Sequence, residues 1–344
     1  MKKVIEYLIF SFTIIIMSSC NNDRVEMPVD YKNEEIPLNF PKEFPQANYF
    51  FAENKPTKYG VQLGKKLFND KRLSEDNTIS CSSCHLKSNA FADNNKQAIG
   101  INNRVGMRNV PPIQNLAFMK YYNWDGNKLD LAEQVIVPII THEEMNSSIL
   151  NVIGKIQNDK EYIDLFLKAF GDKKITAERI FNSVAQYEYT LISANSKYDK
   201  VIRNQGEKFT ENEKKGYATF QKKCAICHST ALFTDQTFRN VGFPYNPDLV
   251  EEHGRARVTG ENADYMKFRV PSLRNIEYTA PYGSFGQFPT LKDVLDYFDK
   301  GVLDAENLDP ILKENNNRIP LTEEEKNNLI SFMKTLSDEE FVKP

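Results

Sequence analysis

The stretches CSSCH at residues 81–85 and CAICH at residues 224–228 decide the fold of this 344-residue chain. Both are Cys-x-x-Cys-His motifs, the attachment site of a c-type haem. Two thiols at this spacing can add to the two vinyl groups of one porphyrin, and the histidine that follows is delivered to the iron as its proximal ligand. Because the motif occurs twice and leaves only Cys20 over, it predicts two covalently attached haems.

Each haem is expected to have its own set of three residues, namely Cys81, Cys84 and His85 for the first haem and Cys224, Cys227 and His228 for the second. Two other uses of such cysteines stay open. Four converging cysteine and histidine side chains could hold a zinc ion. A thioredoxin-like dithiol is the other use, but it requires a βαβ pattern, and no such pattern surrounds either motif.

The N-terminus has the features of an export signal. Two lysines precede a short, nearly uncharged apolar run at residues 7–17, which is shorter than the about 20 apolar residues of a membrane-spanning helix. Small residues then precede Cys20, as in a bacterial lipoprotein signal. We expect a signal peptide at residues 1–19, a lipid on Cys20, a tether at residues 20–45 and a lipid-anchored protein in the periplasm. An ordinary signal peptide that is cleaved elsewhere is the alternative.

The composition fits an enclosed cofactor better than a nucleic-acid partner. The formal net charge is −3, so the chain has no basic excess for nucleic acid. Aromatic residues make up 12% of the chain, as expected where two porphyrins must be enclosed. Strand signals are few. The chain is therefore predicted to be mostly α-helical, with two cytochrome-c-like domains at residues 46–200 and 201–344 and an active site near their interface.

Each domain is expected to open and to close with a helix. A Gly-x-x-x-Phe pattern precedes each haem motif, at residues 64–68 and 216–220, within helix-like stretches. The small residue and the aromatic would let a closing helix cross tightly over the opening one. The closing helices are predicted at residues 176–193 and after a capping box that begins at Thr322.

Polar residues between the two motifs go beyond what an electron carrier needs. Trp124, the only tryptophan, lies in a polar Trp-Asp-Gly turn, which predicts an exposed indole edge and an electron relay. Glu144 and Gln134 are side chains suited to an open iron, because a carboxylate near bound peroxide can move a proton from its inner to its outer oxygen. From spacing alone, a solvated surface glutamate is the simpler interpretation of Glu144.

The order of several longer segments resembles the bacterial dihaem cytochrome c peroxidases, together with MauG, the dihaem enzyme that matures methylamine dehydrogenase. These segments are LGKKLFNDKRLSEDNTISCSSCH, RNVPPIQN, NWDGNKLDLAEQ, PIITHEEM, CAICH, FRVPSLRNIEYTAPYG and TLKDVLDYF, all within residues 63–298. They cover most of the chain, and the resemblance is more specific than the haem motifs alone.

The resemblance implies a role for each matching residue around the haems. His85 would be the proximal ligand of a peroxidatic haem, and His228 that of an electron-transferring haem. Glu144 would be the acid–base carboxylate. Its neighbours in the distal pocket would be Gln134 and Pro138.

A relay and a calcium site also follow from the resemblance. Trp124 would lie between the haems and relay electrons. Asn109 and the backbone carbonyls of Thr279 and Pro281 would hold a calcium ion, which prefers ligands of this all-oxygen kind. A plain turn at Thr279 and Pro281 is the alternative, since the local sequence needs no metal to bend.

Three positions depart from the family pattern. Typical peroxidases of the family carry a distal histidine where Ile101 stands here, so the peroxidatic iron is expected to be open without reductive activation. The sixth ligand of the second haem, a methionine or tyrosine in the family, aligns with Phe298. Tyr297, Met266 and a vacant position stay open as alternatives. Ser284 replaces a histidine that many relatives carry.

Two histidines lie outside the haem motifs. His142, two residues before Glu144, could reach the rim of the distal pocket or replace the missing ligand. His253 lies in a charged loop and is expected to be solvated.

Three functions are compatible with these residues. The first is a cytochrome c peroxidase that reduces hydrogen peroxide to water with electrons from a small cytochrome c or a cupredoxin. The second is a MauG-like oxidase that acts on a partner protein. The third is a non-catalytic dihaem electron-transfer cytochrome, which leaves Glu144, Gln134 and Trp124 unexplained. A homodimer is also compatible with the sequence.

Overall fold

The computed structural model describes residues 31–244 and 252–343, and the predicted signal peptide and Cys20 lie outside the described residues. Lys32–Pro344 forms one compact unit. The tether at residues 20–45 and the domain bounds at residues 46–200 and 201–344 stay predictions. Within the described residues, no helix is both long enough and apolar enough to cross a membrane.

The prediction of a mostly α-helical chain is confirmed. The helices up to the second haem motif are α1 (Tyr49–Glu53), α2 (Lys58–Phe68), α3 (Cys81–Cys84), α4 (Leu131–Gln134), α5 (Ile136–Ile140), α6 (Ile149–Ile156), α7 (Lys160–Phe170), α8 (Ala177–Tyr189), α9 (Lys197–Ile202) and α10 (Glu211–Lys223). Short 3-10 helices lie between them at Lys71–Leu73, Lys87–Asn89, Ile101–Asn103 and Leu116–Phe118.

The part of the chain after the second motif has more irregular structure. Its helices are α11 (Ala256–Thr259), α12 (Leu291–Lys300), α13 (Pro310–Glu314), α14 (Glu323–Lys334) and α15 (Glu339–Val342), with 3-10 helices at Asn262–Asp264 and Ile276–Tyr278. In the described ranges the sheet is a single antiparallel pair of β1 (Phe238–Arg239) and β2 (Phe268–Arg269), in which Phe238 lies opposite Arg269.

The capping box predicted at Thr322 is confirmed at the start of α14. Thr322 Oγ1 accepts the N–H of Glu325 at 3.1 Å, and the Glu325 carboxylate accepts the N–H of Thr322 at 2.9 Å. Two of the free amide donors at the start of the helix are satisfied in this way.

The closing helix of the first half is shorter than predicted. It ends at Tyr189 rather than near residue 193. The residues that follow pair with Asn115 instead, whose N–H donates to the carbonyl of Leu191 and whose side-chain oxygen accepts the N–H of Ser193, both at 2.9 Å. These contacts replace the next helical turn.

Two tight helix crossings hold the opening and closing helices together. In the first, α2 packs on α8, and in the second, α10 packs on α14. A Cβ atom at Gly64 would overlap the carbonyl oxygen of Ser183, and one at Gly216 would overlap that of Asn328. The Gly-x-x-x-Phe pattern therefore marks the same close approach twice, as predicted.

The phenylalanine of each pattern points into the core beside a haem motif. Phe68 is 1% exposed and its ring centroid lies 6.4 Å from that of Phe91, six residues after His85. Phe220 is also 1% exposed and lies 5.6 Å from Phe233, five residues after His228. In each half, the phenylalanine at the helix crossing therefore packs against the segment that follows the haem motif.

We expect Gly64→Ala and Gly216→Ala to destabilise the protein by about 1–3 kcal/mol each, because the added methyl group must push the facing helix away. Chemical denaturation of each variant, compared with the wild-type protein, measures this loss. Gly154→Ala in α6 is the matched control, since a Cβ there meets no atom within 4 Å. Equal stability of all three variants would contradict the proposed crossings.

Candidate haem-binding and active site

The four motif cysteines are partly buried. Burial raises the pKa of the Cys84 and Cys227 thiols to about 11 and that of Cys224 to about 12, and it also raises the pKa of Cys81. A reactive dithiol needs a lowered pKa. These surroundings therefore disfavour the redox-dithiol alternative.

Both motif histidines are oriented by backbone carbonyls. His85 Nδ1 lies 2.7 Å from the carbonyl oxygen of Phe91, and His228 Nδ1 lies 3.1 Å from the carbonyls of Phe233 and Pro271. When Nδ1–H donates to a carbonyl, the lone pair of Nε2 is left for a metal ion. Burial also lowers the pKa of both imidazoles, to about 4 for His85. Each ring is thus held neutral, as a metal ligand must be.

The carbonyls that orient the histidines come from residues with unusual backbone angles. Phe91 has φ 59° and Phe233 has φ 56°, in the left-handed region that bulky residues rarely occupy. Such strain is maintained where the surrounding packing imposes it, and it is common at functional sites. The same backbone conformation at both motifs is consistent with the same role, which is to present the imidazole of the motif histidine to a metal.

The donor sets fit two haems and do not fit the zinc alternative. Within residues 31–244 and 252–343, no group of three or more histidine, cysteine and acidic side chains is arranged to hold a metal ion. Two thiols and one imidazole with a free Nε2 occur at each motif instead. These are the groups that covalent attachment and proximal ligation of a haem require.

An arginine with a buried, unpaired nitrogen gives a second observation in favour of bound haem. Arg269 is partly buried, and its buried Nη1 atom has no hydrogen-bond partner among the described residues. Burial lowers its pKa to about 10. By contrast, the buried Arg274 has a carboxylate partner, Asp199, at 2.8 Å. Arg269 therefore suits an anionic carboxylate such as a haem propionate.

Glu144 lies close to the first haem motif. It belongs to a turn that follows α5, and its carboxylate is near enough to Cys84 and Cys81 to help raise the pKa of both thiols. Burial of the carboxyl, together with the charge of Glu143, raises the pKa of Glu144 itself to about 7. A carboxyl with this pKa can accept and release a proton near neutral pH. Glu144 is not the solvated surface glutamate of the simpler interpretation.

The two predicted neighbours of Glu144 lie on the helices that lead to its turn. Gln134 ends α4, and its Nε2 lies 3.3 Å from the side-chain oxygen of Asn123, next to Trp124. Pro138 lies in α5, and its carbonyl accepts the N–H of Met145 at 3.1 Å. Both residues are therefore placed between the Trp124 turn and the Glu144 turn.

Trp124 is buried, so the predicted exposed indole edge was wrong. It is 9% exposed, and Nε1–H donates to the carbonyl of Asn109 at 2.9 Å. Its own carbonyl accepts the N–H of Arg269 at 2.8 Å, and its ring packs in a cluster with Met266, Phe268 and Phe285. The apolar cluster buries the ring of Trp124, although its neighbours in the sequence are polar. Trp124 connects the segments that carry the two motifs.

The residues proposed for calcium lie on neighbouring segments. Asn109 is buried, its N–H donates to the carbonyl of Ser284 at 2.9 Å, and its side-chain amide donates to the carbonyl of Asn95 at 2.9 Å. Thr279 and Pro281 lie in the turn just before Ser284, and the Ala280–Pro281 bond is cis. A calcium ion at this place stays a prediction.

The candidates for the sixth ligand of the second haem have different surroundings. The Tyr297 hydroxyl contacts the carbonyl of Gly242 and accepts the N–H of Leu303 at 3.1 Å. Phe298 packs against an apolar cluster that includes Val302. Met266 packs with Trp124. The hydroxyl of Tyr297 is thus already hydrogen-bonded to the backbone.

The histidines outside the motifs lie at the surface. His142 is exposed, and its Nδ1 lies 3.1 Å from the side-chain oxygen of Asn146. A position of His142 at the rim of the distal pocket stays a prediction. His253 is exposed as expected, with its ring 5.5 Å from that of Tyr265.

The structure contains a buried charge cluster that sequence reasoning missed. Arg108 binds Glu252 at 2.7 Å and Asp125 at 2.8 Å, and the side chains of the two acids are 0% and 6% exposed. The cluster joins the Trp124 turn to residue 252. The sequence singles out the segment RNVPP, but no local pattern pairs Arg108 with an acid 144 residues later.

Glu188 is a second residue that sequence reasoning missed. It is buried near Cys81, and burial raises its pKa to about 8. No local pattern predicts that it lies beside a haem motif.

Comparison with known proteins agrees with this arrangement. Residues 58–207 match the family model described as di-haem cytochrome c peroxidase. The chain is 33% identical over 300 residues to the methylamine utilization protein MauG of Methylorubrum extorquens, covering 86% of this chain and 81% of that protein. It is also 33% identical over 287 residues to cytochrome c551 peroxidase of Nitrosomonas europaea, covering 81% of this chain and 80% of that one.

A solved structure has the same architecture. The crystal structure of a MauG-like protein associated with microbial copper homeostasis superposes with a TM-score of 0.79 and 29% identity, covering 90% of this chain and 97% of that one. The fold, the two motifs and the sequence relatives agree with one another. The chain belongs to the di-haem cytochrome c peroxidase family, in which both cytochrome c peroxidases and MauG proteins are found, and that membership implies two haem c cofactors.

Proposed function

We propose that this protein reduces hydrogen peroxide to water at the haem held by Cys81, Cys84 and His85. The electrons come from a small cytochrome c or a cupredoxin and enter through the haem held by Cys224, Cys227 and His228. The overall reaction consumes one peroxide, two electrons and two protons and yields two water molecules. When bound, the haems supply the iron that takes up peroxide and the centre that receives electrons.

The position and pKa of Glu144 are the main support for this reaction. Its partly buried carboxyl lies beside the first motif, and burial together with the charge of Glu143 raises its pKa to about 7. In the carboxylate form it can take the proton from one peroxide oxygen and return it to the other, which makes the second oxygen a good leaving group as water. An electron carrier has no use for a group of this kind.

Trp124 is the proposed route for electrons between the two haems. It lies in an apolar cluster, with its indole fixed by Asn109 and its backbone fixed by Arg269. These two contacts hold the buried ring in one position, as a relay between two haems would require. Calcium bound by Asn109, Thr279 and Pro281 would hold the same region, and we propose it as part of the site.

The location of the protein is also a proposal. Haem c is attached outside the cytoplasm, and the apolar run at residues 7–17 followed by Cys20 resembles a lipoprotein signal. We propose a periplasmic protein with a lipid anchor on a bacterial membrane.

A MauG-like oxidase that acts on a partner protein is the second candidate. Ile101, which is 1% exposed and has no group that can ligate iron, favours this candidate. The 33% identity to MauG of Methylorubrum extorquens supports it as well. Phe298 at the position of a tyrosine ligand counts against it.

We expect Glu144→Gln to slow peroxide reduction by about 10²–10⁴-fold, since the amide cannot carry the proton. Steady-state peroxide consumption with a reduced donor measures this loss, and haem absorption spectra verify that both cofactors are in place. Glu133→Gln, at an exposed glutamate next to Gln134, is the matched control. A wild-type rate in Glu144→Gln would remove this residue from the reaction.

The rate with peroxide should fall as the pH drops through about 7, because the carboxylate of Glu144 becomes protonated there and can no longer act as a base. Glu143→Gln removes the neighbouring negative charge, which should lower the pKa of Glu144 and move the midpoint of the profile to lower pH. A pH profile of single-turnover rates measures both midpoints. Profiles that coincide in the wild-type protein and Glu143→Gln would contradict the assignment.

The two candidate functions differ in the electron donor that they need. As a peroxidase, the protein should turn over many peroxide molecules with a reduced small cytochrome or cupredoxin as the donor. As a MauG-like oxidase, it should oxidise such donors slowly and instead leave a covalent change in a partner protein. Turnover assays with both donor types, followed by mass spectrometry of proteins from the same periplasm, separate the candidates.

A further inference from the structure

The residue that orients His85 packs against a ring from a distant part of the chain. Phe341 lies in α15, well after both haem motifs, and its ring centroid is 5.4 Å from that of Phe91. The same helix packs on the 3-10 helix Lys87–Asn89, which lies between His85 and Phe91. The carbonyl oxygen of Phe91 is the atom that lies 2.7 Å from His85 Nδ1. A single residue therefore separates Phe341 from the proximal histidine.

The conformation of Phe91 has to be imposed by its surroundings. Its φ of 59° lies in the left-handed region, which costs free energy for a bulky residue and is maintained only where packing enforces it. Two rings contact it, that of Phe68 at 6.4 Å and that of Phe341 at 5.4 Å. Phe91 is 4% exposed between them. Without Phe341, it would lose the nearer of these two aromatic contacts.

The carbonyl oxygen of Phe91 has two donors within reach. His85 Nδ1 lies at 2.7 Å, and the N–H of Ile113 donates to the same oxygen at 3.3 Å. A rotation of the Phe91 peptide group would change both distances. The hydrogen bond that Nδ1–H donates determines how strongly the imidazole binds a metal through Nε2. The packing of Phe91 therefore acts on the bond between His85 and the iron.

Buried contacts at the start of α15 fix the helix that carries Phe341. Asp338 is 3% exposed, and its Oδ2 accepts the N–H groups of Ala194 at 3.1 Å and Asn195 at 3.0 Å. Its own N–H donates to the side-chain oxygen of Asn275 at 2.7 Å, and its Oδ1 accepts the N–H of Phe341 at 3.3 Å. The ring of Phe341 is thus held against Phe91 by a helix that is itself anchored.

We propose that Phe341 is a positioning residue for the proximal ligand of the first haem. Its ring keeps Phe91 in the conformation in which the carbonyl accepts the Nδ1 proton of His85. This hydrogen bond makes Nε2 a stronger donor, and a stronger proximal donor stabilises the more oxidised states of iron. A haem that reacts with peroxide needs this property. The expected effect on the peroxide rate rests on the proposed function, whereas the effect on the ligand does not.

The test compares variants of the protein with both haems bound. Phe341→Ala removes the ring, and Phe341→Leu keeps an apolar side chain in its place. Phe170→Ala is the matched control, because Phe170 is also partly buried and packs on the same apolar core, where its ring lies 6.0 Å from that of Phe166. The second haem is an internal reference, since Phe233 packs against Tyr198 at 4.9 Å.

We expect Phe341→Ala to raise the reduction potential of the first haem and to lower the frequency of its iron–histidine vibration, because the weaker hydrogen bond makes the imidazole a weaker donor. The rate with peroxide should fall about tenfold. Amide hydrogen exchange of residues 86–92 should accelerate. Phe341→Leu should recover most of each change, and Phe170→Ala should show none. Redox titration, resonance Raman spectroscopy of the reduced protein and stopped-flow mixing with peroxide measure these effects.

Two results would overturn the proposal. One is a Phe341→Ala protein whose first haem has the potential and the iron–histidine frequency of the wild-type protein. The other is an equal change in Phe341→Ala and Phe170→Ala, because any loss of packing in this core would then act on the haem. Failure of the proposed function gives a different result, since Glu144→Gln would react normally with peroxide while the potential and the vibration of the first haem still report on Phe341.

Discussion

The two helix crossings at Gly64 and Gly216 are the constraint on which both haem sites depend. Each glycine lets a backbone carbonyl of the closing helix approach the opening helix, and this fixes the phenylalanine four residues later. That ring packs on a second phenylalanine, Phe91 or Phe233, whose carbonyl orients the proximal histidine. A loss of packing at the crossing would therefore displace the proximal histidine, even though the residues of the haem motif are unchanged.

The same phenylalanine packing orients the proximal histidine at both sites, but the other surroundings of the two haem motifs differ. The first motif faces a turn whose carboxyl titrates near neutral pH. The second motif lies instead near the ion pairs of Arg239 with Asp235 and with Asp309, at 2.8 Å each, whose charges act on the Cys227 thiol. The two motifs therefore have different charged neighbours, a carboxyl with a raised pKa at the first and a paired arginine at the second.

Local patterns were enough to predict part of this structure. Motif spacing, helix caps and the Gly-x-x-x-Phe pattern depend on residues a few positions apart, so the sequence alone predicts the haem motifs, α14 and both crossings. The end of α8 and the burial of Trp124 depend on partners far away in the chain, Asn115 for one and Phe285 for the other. The pairing of Arg108 with Glu252 has no local signal either, because any of many acids could have met that arginine.

The hydrogen bond of Trp124 has a consequence for the chemistry of its ring. The indole N–H points at a backbone carbonyl, which is a very weak base, and the surrounding cluster is apolar. If an electron is withdrawn from the indole, the proton on Nε1 has no acceptor that could keep it. The ring would then carry its positive charge only until the next electron arrives, and it would return to its original state without a bond made or broken. Such a residue can be used repeatedly without being consumed.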